Sequence, residues 1–223
     1  MSKLLDGLGF VELLGTFGDD LTVVNAARVS FAKESVTMEP KDEKLIKYLA
    51  EHNHTTPFFH PQIRFRLKMP IYVAREWFRH TIGFARNEVS RRYVDDTPEC
   101  YLPPPESLRE RDTNKKQGSK PTPIAHAAEV HETIKTFQAL AIATYESLLE
   151  QKVAPEVARG VLPQSMYTEF IETGSLSAYA RLCALRLDPH AQAEIQMYAS
   201  AVSKLIEERF PVSWRALLHV TAE

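Results

Sequence analysis

Gln62-Ile63-Arg64-Phe65-Arg66-Leu67-Lys68-Met69 alternates polar and apolar side chains without a break. A period of two marks a strand with one face buried and the other wet. Gln62, Arg64, Arg66 and Lys68 point one way, and Ile63, Phe65, Leu67 and Met69 the other. Such one-sided burial belongs to antiparallel sheets, since parallel strands are covered on both faces. Pro70 comes next, and its fixed φ and missing N–H suit the first turn of a helix. That helix is expected to hold Ile71, Ala74 and Phe78 inward. It would set Arg75 and Arg79, and likewise Glu76 and His80, one turn apart, before running into a loop around Gly83.

Upstream, residues 10–14 read as a short strand closed by Gly15 and Gly18. Asp19 and Asp20 then start a helix through Arg28. Residues 42–51 form a second helix with Leu45, Ile46 and Leu49 as its apolar stripe. Downstream, residues 102–123 are rich in proline and charge and read as a surface excursion. A long helix follows over about 123–151, with Phe137, Leu140 and Tyr145 among its apolar residues. Pro155 opens a short helix bearing Arg159, and residues 166–171 suggest a strand. Ser175 or Ser177 caps a helix ending near Leu187, Asp188-Pro189 opens another to about Arg209, and Pro211 opens the last. About six helices and a few strands make an α+β fold, a mainly antiparallel sheet flanked by helices. Without a βαβαβ rhythm or a GxGxxG, a Rossmann fold is excluded.

The 223 residues fit a single domain spanning 1–223, with the 102–123 excursion on its surface. A net charge of −2 speaks against nucleic acid as a partner. Apolar runs are too short for a membrane span, and the start of the chain lacks a signal core. Cys100 and Cys183 are far apart and form no CxxC, as in a cytoplasmic protein.

Against this near-neutral background, Arg75 to Arg92 holds five arginines and two acids, Glu76 and Glu88. Planar guanidinium donors suit phosphate, and Asn87 and Ser90 add neutral donors. The plainer reading is a solvated loop paired with Asp95, Asp96 and Glu99. His52, His54 and His60, with His80, raise the question of a metal. No carboxylate lies among the first three and the thiols are distant, so no metal is expected. Arg186, at a helix end, can serve that helix's carbonyls, and His190 falls just inside the next helix. Ser90 lacks a base nearby in sequence, and Cys183, beside Leu182 and Leu185, reads as core.

Taken in order, these blocks resemble the flavin-dependent thymidylate synthases. The likeness rests on Gly9 to Leu13, Ala27 to Phe31, His54-x-Thr56-Pro57-Phe58, Arg79-His80, Asn87-Glu88-x-Ser90-x-Arg92-Tyr93, Ala158 to Pro163, and Leu185 to Gln192. The excursion matches less well. The resemblance implies a homotetramer with active sites shared between subunits and FAD as cofactor. It implies conversion of dUMP to dTMP, with methylenetetrahydrofolate giving the carbon and NADPH the electrons. It assigns dUMP to Glu76, Arg79, Glu88, Val89, Ser90, Arg91, Arg92, Arg159 and Arg186, with Arg186 catalytic at the uracil ring. Glu88, Val89 and Arg91 would offer backbone amides. It assigns FAD to His54, Thr56, Arg79, His80, Thr81, Asn87, Glu88, Ser175, Arg181 and His190.

The family signature reads RHR, seven residues, then serine. Here Thr81 replaces the second arginine and eight residues separate it from Ser90. Arg86 is a candidate to return the missing charge. Glu76 stands where glutamine is common, Phe59 where a glutamate is common, and Ser175 and Arg181 near flavin-contacting asparagines. These departures keep two alternatives open. One is a diverged flavin-dependent modifier giving a hydroxymethyl product or acting on dCMP. The other is a non-catalytic flavin- or nucleotide-binding protein.

Overall fold

The computed structural model describes residues 1–94, 96–113 and 118–220. Asp95, and residues 114–117 of the excursion, lie outside the described residues. In chain order the elements are β1 (Ser2–Leu4), β2 (Gly9–Phe17), α1 (Asp20–Arg28), α2 (Pro40–Glu51), β3 (Gln62–Pro70), α3 (Ile71–Trp77) and β4 (Phe84–Glu88). There follow β5 (Arg109–Arg111), β6 (Ser119–Pro123), α4 (Ala127–Glu150), α5 (Pro155–Ala158), β7 (Tyr167–Ser175), α6 (Leu176–Arg186), α7 (Ala193–Glu207) and α8 (Pro211–Val220). One sheet has the order β1-β2-β3-β7-β4, with every pairing antiparallel. β5 and β6 form a separate antiparallel hairpin. The α+β expectation holds, with more helices than the sequence suggested.

β3 is the centre of the sheet, and its alternation is realised in full. Ile63, Phe65, Leu67 and Met69 are all completely buried. Each such side chain contributes roughly 1.5–3 kcal/mol relative to an exposed position. They join one core with Val23, Ile46, Trp77, Leu182, Tyr198 and Trp214 from the helices. On the opposite face Arg66 pairs with Glu169 at 2.5 Å.

β2 runs to Phe17 rather than ending at Leu14. Its register against β3 shifts between Leu13 and Gly15, so Leu14 bulges out and the pairing continues beyond it. Asp19 caps α1, accepting from the Thr22 amide at 3.0 Å. Asp20 serves another helix: its carboxylate accepts from the amides of Val212 and Ser213, both at 2.9 Å, at the start of α8. Ser175, not Ser177, caps α6, its Oγ accepting from the Ala178 amide at 3.1 Å.

Five local expectations fail. α3 stops at Trp77, so Arg79 and His80 are not its next turn. Gly83, at φ +82°, reverses the chain, and residues expected in a loop become β4, paired to β7 from Phe84↔Gly174 to Glu88↔Phe170. α7 begins at Ala193 rather than at Asp188. Asp188 turns its carboxylate onto the His190 amide at 2.7 Å, which leaves His190 in a turn outside the helix. The long helix starts at Ala127 because residues up to Pro123 are spent on the hairpin. Phe137 and Leu140, named above among the apolar residues of this helix, are exposed on α4, which is held instead by buried Gln138, Ala141 and Tyr145. No helix among the described residues is long and apolar enough to cross a membrane.

Candidate functional site

Three consecutive pieces, the end of α3, the Gly83 turn and β4, are clamped onto α6. Arg186, the last residue of α6, spends its guanidinium on this joint. Nε donates to His80 Nε2 at 3.0 Å, Nη1 donates to the Glu76 carboxylate, and Nη2 reaches the Glu76 carbonyl at 3.4 Å. It therefore does not serve the carbonyls of its own helix end. A guanidinium has five N–H donors, so donors remain for a ligand.

The His80 nitrogen that accepts from Arg186 must be unprotonated. Burial, followed by the charges of Arg186, Arg86, Arg181 and Arg79, pushes its pKa from 6.5 down to about 4. At neutral pH the joint thus holds one cation, one carboxylate and one neutral imidazole. Glu76, Arg186 and His190 line a cavity of about 780 Å³, whose far wall includes Arg109 and Ser119 of the hairpin.

The turn between His80 and β4 is fixed from α6. Arg181 donates to Ser177 Oγ and to the Ile82 carbonyl, both at 2.9 Å, and its guanidinium lies 5.5 Å from the centre of the Phe59 ring. The Ser175 amide donates to the Gly83 carbonyl at 3.1 Å. A Cβ at Gly83 would lie 3.0 Å from the Ala178 Cβ and 3.1 Å from Ser175 Oγ, in addition to its left-handed φ. Thr81 accepts through its carbonyl from the Phe84 amide at 3.2 Å.

Below the turn lies a network that sequence reasoning missed. Glu172 is fully buried and accepts from Trp77 Nε1 at 3.1 Å and from Arg86 Nε. Desolvation raises its pKa, against the opposing pull of Arg86 and Trp77. Arg86 also packs over the rings of Phe78 and Phe84. Its charge is matched inside the protein, so it does not restore to a ligand the charge lost at Thr81. The signal was available: Phe170, Glu172 and Gly174 alternate, which puts a carboxylate on the inward face of a strand.

The arginine-rich segment divides in two. Arg91 pairs with Asp96 at 2.8 Å, as the plainer reading expected, and Arg86 with Glu172. Glu99 instead pairs with Lys68. Arg79, Arg92 and Arg159 are exposed, and among the described residues their guanidinium groups make no hydrogen bond or ion pair. Guanidinium groups placed this way suit anions. The Val89 amide, expected to face a ligand, is used by the Glu169 carbonyl at 2.9 Å. Glu88 accepts from Thr168 Oγ1 at 2.5 Å, and the Arg92 amide reaches Ser90 Oγ at 3.4 Å. Asn87, Glu88 and Val89 line a second hollow, about 540 Å³, with Arg66 and Glu169.

His54 and Thr56 lie elsewhere, on a cavity of about 850 Å³ with Arg28, Ser30, Phe31 and Tyr48 in its walls. His52 stacks on Tyr48 at 4.0 Å and meets the Tyr48 carbonyl through Nδ1 at 2.9 Å. Of the expected residues, then, Glu76, His80 and Arg186 are in contact, and Thr81, Ser175 and Arg181 are fastened to one turn. His54, Thr56 and Arg159 are not brought to them within this chain.

A family model described as thymidylate synthase complementing protein matches residues 12–212. A flavin-dependent thymidylate synthase of Kosmotoga olearia is 42% identical, covering 95% of this chain and 90% of the relative. One from Thermus thermophilus is 40% identical, covering 93% of this chain and 75% of the relative. Among solved structures, the UMP/dUMP methylase PolB from Streptomyces cacaoi, bound with 5-Br dUMP, matches with a TM-score of 0.85 at 29% identity, over 95% of each chain.

Proposed function

The chain belongs to the thymidylate synthase complementing protein family, and on that basis we propose that it is a flavin-dependent thymidylate synthase. It converts dUMP to dTMP, with methylenetetrahydrofolate as carbon donor and NADPH as reductant. The observation that carries this reading is Arg186, held at a cavity wall by Glu76 and by a neutral His80. A pyrimidine ring seated there meets a fixed cation where negative charge develops as its carbon is activated. A preorganised charge of this kind needs no reorganisation during reaction. Because His80 is neutral, the positive charge stays on Arg186, where a guanidinium cannot lose it.

Arg79, Arg92 and Arg159, whose guanidinium groups make no hydrogen bond or ion pair among the described residues, suit the phosphate of dUMP, together with Ser90. Glu88, Val89 and Arg91 complete the nucleotide side. The Val89 amide is committed to β7, so what Val89 offers is its side chain. The residues around the other cavity suit a flavin. Its volume admits a fused ring system, Tyr48 gives it an aromatic wall, and His54, Thr56 and Arg28 supply polar groups. His54 and Thr56 would hold FAD, with Arg79, His80, Thr81, Asn87, Glu88, Ser175, Arg181 and His190. When bound, the flavin supplies hydride chemistry that no side chain here provides. Arg181 and Ser175 set the turn that carries Thr81, and that turn fixes where His80 points.

The separation of these groups within one chain supports sites assembled between subunits, as in a homotetramer. Exposed Phe137 and Leu140 on α4, and Leu14 and Ile171 on the sheet, provide apolar contact surface. The chain works as a single domain, in the cytoplasm, where free Cys100 and buried Cys183 stay reduced.

The test is the mass of the nucleotide product after anaerobic incubation with FAD, NADPH, methylenetetrahydrofolate and dUMP. A methylated product is expected. A hydroxymethyl product, or turnover of dCMP instead, overturns the reading in favour of a diverged modifier. No product from either nucleotide, with flavin bound, leaves a binding protein.

A further inference from the structure

The hairpin of β5 and β6 lies in the stretch where the sequence resemblance is weakest, yet its strands are paired. Arg109 pairs in register with Pro123, and Arg111 with Ser119. Glu110 and Lys120 form an ion pair across it at 2.6 Å. The Ile124 amide closes its base on the Leu108 carbonyl at 2.8 Å. The segment leading into it is tied to α4: His131 Nδ1 lies 2.9 Å from the Pro103 carbonyl, and Gln138 donates to the Tyr101 carbonyl at 2.8 Å. The two strands pair with each other, and the segment leading into them is fixed on α4.

The hairpin bears Arg109, which faces the cavity lined by Glu76, Ser119, Arg186, His190 and Gln192. The other charges of this cavity have partners. Arg186 is matched by Glu76, and Asp188 accepts from the His190 amide. Glu110, beside Arg109 in sequence, is taken by Lys120 on the other side of the strand. Arg109 is half-buried, and its guanidinium makes no hydrogen bond or ion pair among the described residues. A half-desolvated cation on a cavity wall lacks a counter-ion, and a guanidinium fork matches the oxygens of a phosphate monoester.

We propose that Arg109 is a ligand-binding residue of this site, receiving a phosphate monoester from a nucleotide seated beside Arg186. This rests on the reading of the cavity as part of a thymidylate synthase site. Under that reading two ligands carry such a group: dUMP at its 5′ position, where Arg109 would add a donor to those of Arg79, Arg92 and Arg159, and NADPH at its 2′ position, which has no other residue assigned to it. Arg109 would give the hairpin a role in selectivity, favouring a phosphorylated ligand over its unphosphorylated analogue.

Flavin-loaded protein is titrated by calorimetry with dUMP, deoxyuridine, NADPH and NADH, as wild type, Arg109→Ala and Arg109→Lys. Charge-assisted contacts set the scale: Arg109→Ala should weaken a phosphorylated ligand by roughly 10-fold or more. Its unphosphorylated analogue should be unchanged, and Arg109→Lys should recover part of the loss. A loss confined to dUMP assigns the substrate's phosphate, and one confined to NADPH the reductant's. Thermal melting reports whether each variant is folded. Unchanged affinity for all four ligands in Arg109→Ala overturns the proposal, as does an equal loss for the unphosphorylated analogues. If wild type binds NADPH but neither binds nor converts dUMP, the thymidylate synthase reading fails while the NADPH arm still decides Arg109. Binding of neither phosphorylated ligand overturns both.

Discussion

Two carboxylate–arginine pairs lie close together in this fold, Glu172 with Arg86 and Glu76 with Arg186, and they differ in what surrounds them. Glu172 has no exposed surface and Arg86 15%, with Trp77 supplying a further donor. Glu76 and Arg186 keep 25% and 17% of their side-chain surface, at the edge of a large cavity. In the first pair it is the carboxylate that is sealed: Glu172 meets Arg86 and the Trp77 N–H inside the protein, and so holds β4 and α3 against β7. The second leaves guanidinium donors beside open space. The same two functional groups form a structural rivet in one place and, on the proposed reading, a substrate-facing cation in the other; the carboxylate's exposure and the adjoining cavity separate them.

That contrast can be broken at either end. The largest expected effect is on folding. Glu172→Ala leaves the Arg86 charge buried without its partner, and chemical denaturation should show a loss of about 3–5 kcal/mol. A loss under about 1 kcal/mol would mean that the pair is not sealed. Next comes Arg186→Ala, which should lower turnover by roughly 10²–10³-fold, the scale of removing a preorganised transition-state donor. Its stability should change by about 1 kcal/mol or less, as for a solvent-accessible pair. Should Arg186→Ala unfold the protein as Glu172→Ala does, the two pairs are equivalent and the distinction is lost.

Gly83→Ala tests the turn between them. The left-handed φ and the 3.0 Å approach to Ala178 should together cost about 1–3 kcal/mol, read from the denaturation midpoint. The effect of His80 is smallest near neutral pH and appears only on acidification. Its folded pKa of about 4 lies below the 6.5 of the unfolded chain, so between those values the unfolded state binds more protons. His80 therefore lowers stability as pH falls from 6.5 to 4 and is neutral in this respect above 6.5. An NMR titration of the His80 ring in wild type should find it unprotonated at pH 6. A midpoint near 6.5 would remove the argument that the cavity's charge rests on Arg186.

The sheet was readable because β3 obeys a strict period of two, which only one register satisfies. The same rule, carried past residue 171 to Phe170, Glu172 and Gly174, would have marked the inward carboxylate but could not name its partner. That partner, Arg86, sits on a strand of five residues that shows no alternation: Phe84, Ala85, Arg86, Asn87 and Glu88 are set by pairing with β7. For the site, the resemblance alone made Glu76 and Arg186 substrate-side candidates and His80 a flavin-side one, while their mutual contact depends on where α3 stops. Helix ends depend on turns and side-chain caps that periodicity does not show, such as the Gly83 turn and the Asp188 carboxylate, and this is why His190 lies outside α7. Arg109 was passed over because a mixed-charge stretch gives no periodicity that would aim one side chain at a cavity.

The most direct test of the account is release of tritium from dUMP labelled at C5, with flavin, methylenetetrahydrofolate and NADPH present, in wild type and in Arg186→Ala. Methylation at C5 must expel that hydrogen. Wild type should release tritium only when the folate and reductant are supplied, and Arg186→Ala should fall by roughly 10²–10³-fold while remaining folded. No release from wild type that has bound both flavin and dUMP, or equal release from a folded Arg186→Ala, would contradict the role given to the Arg186 cation.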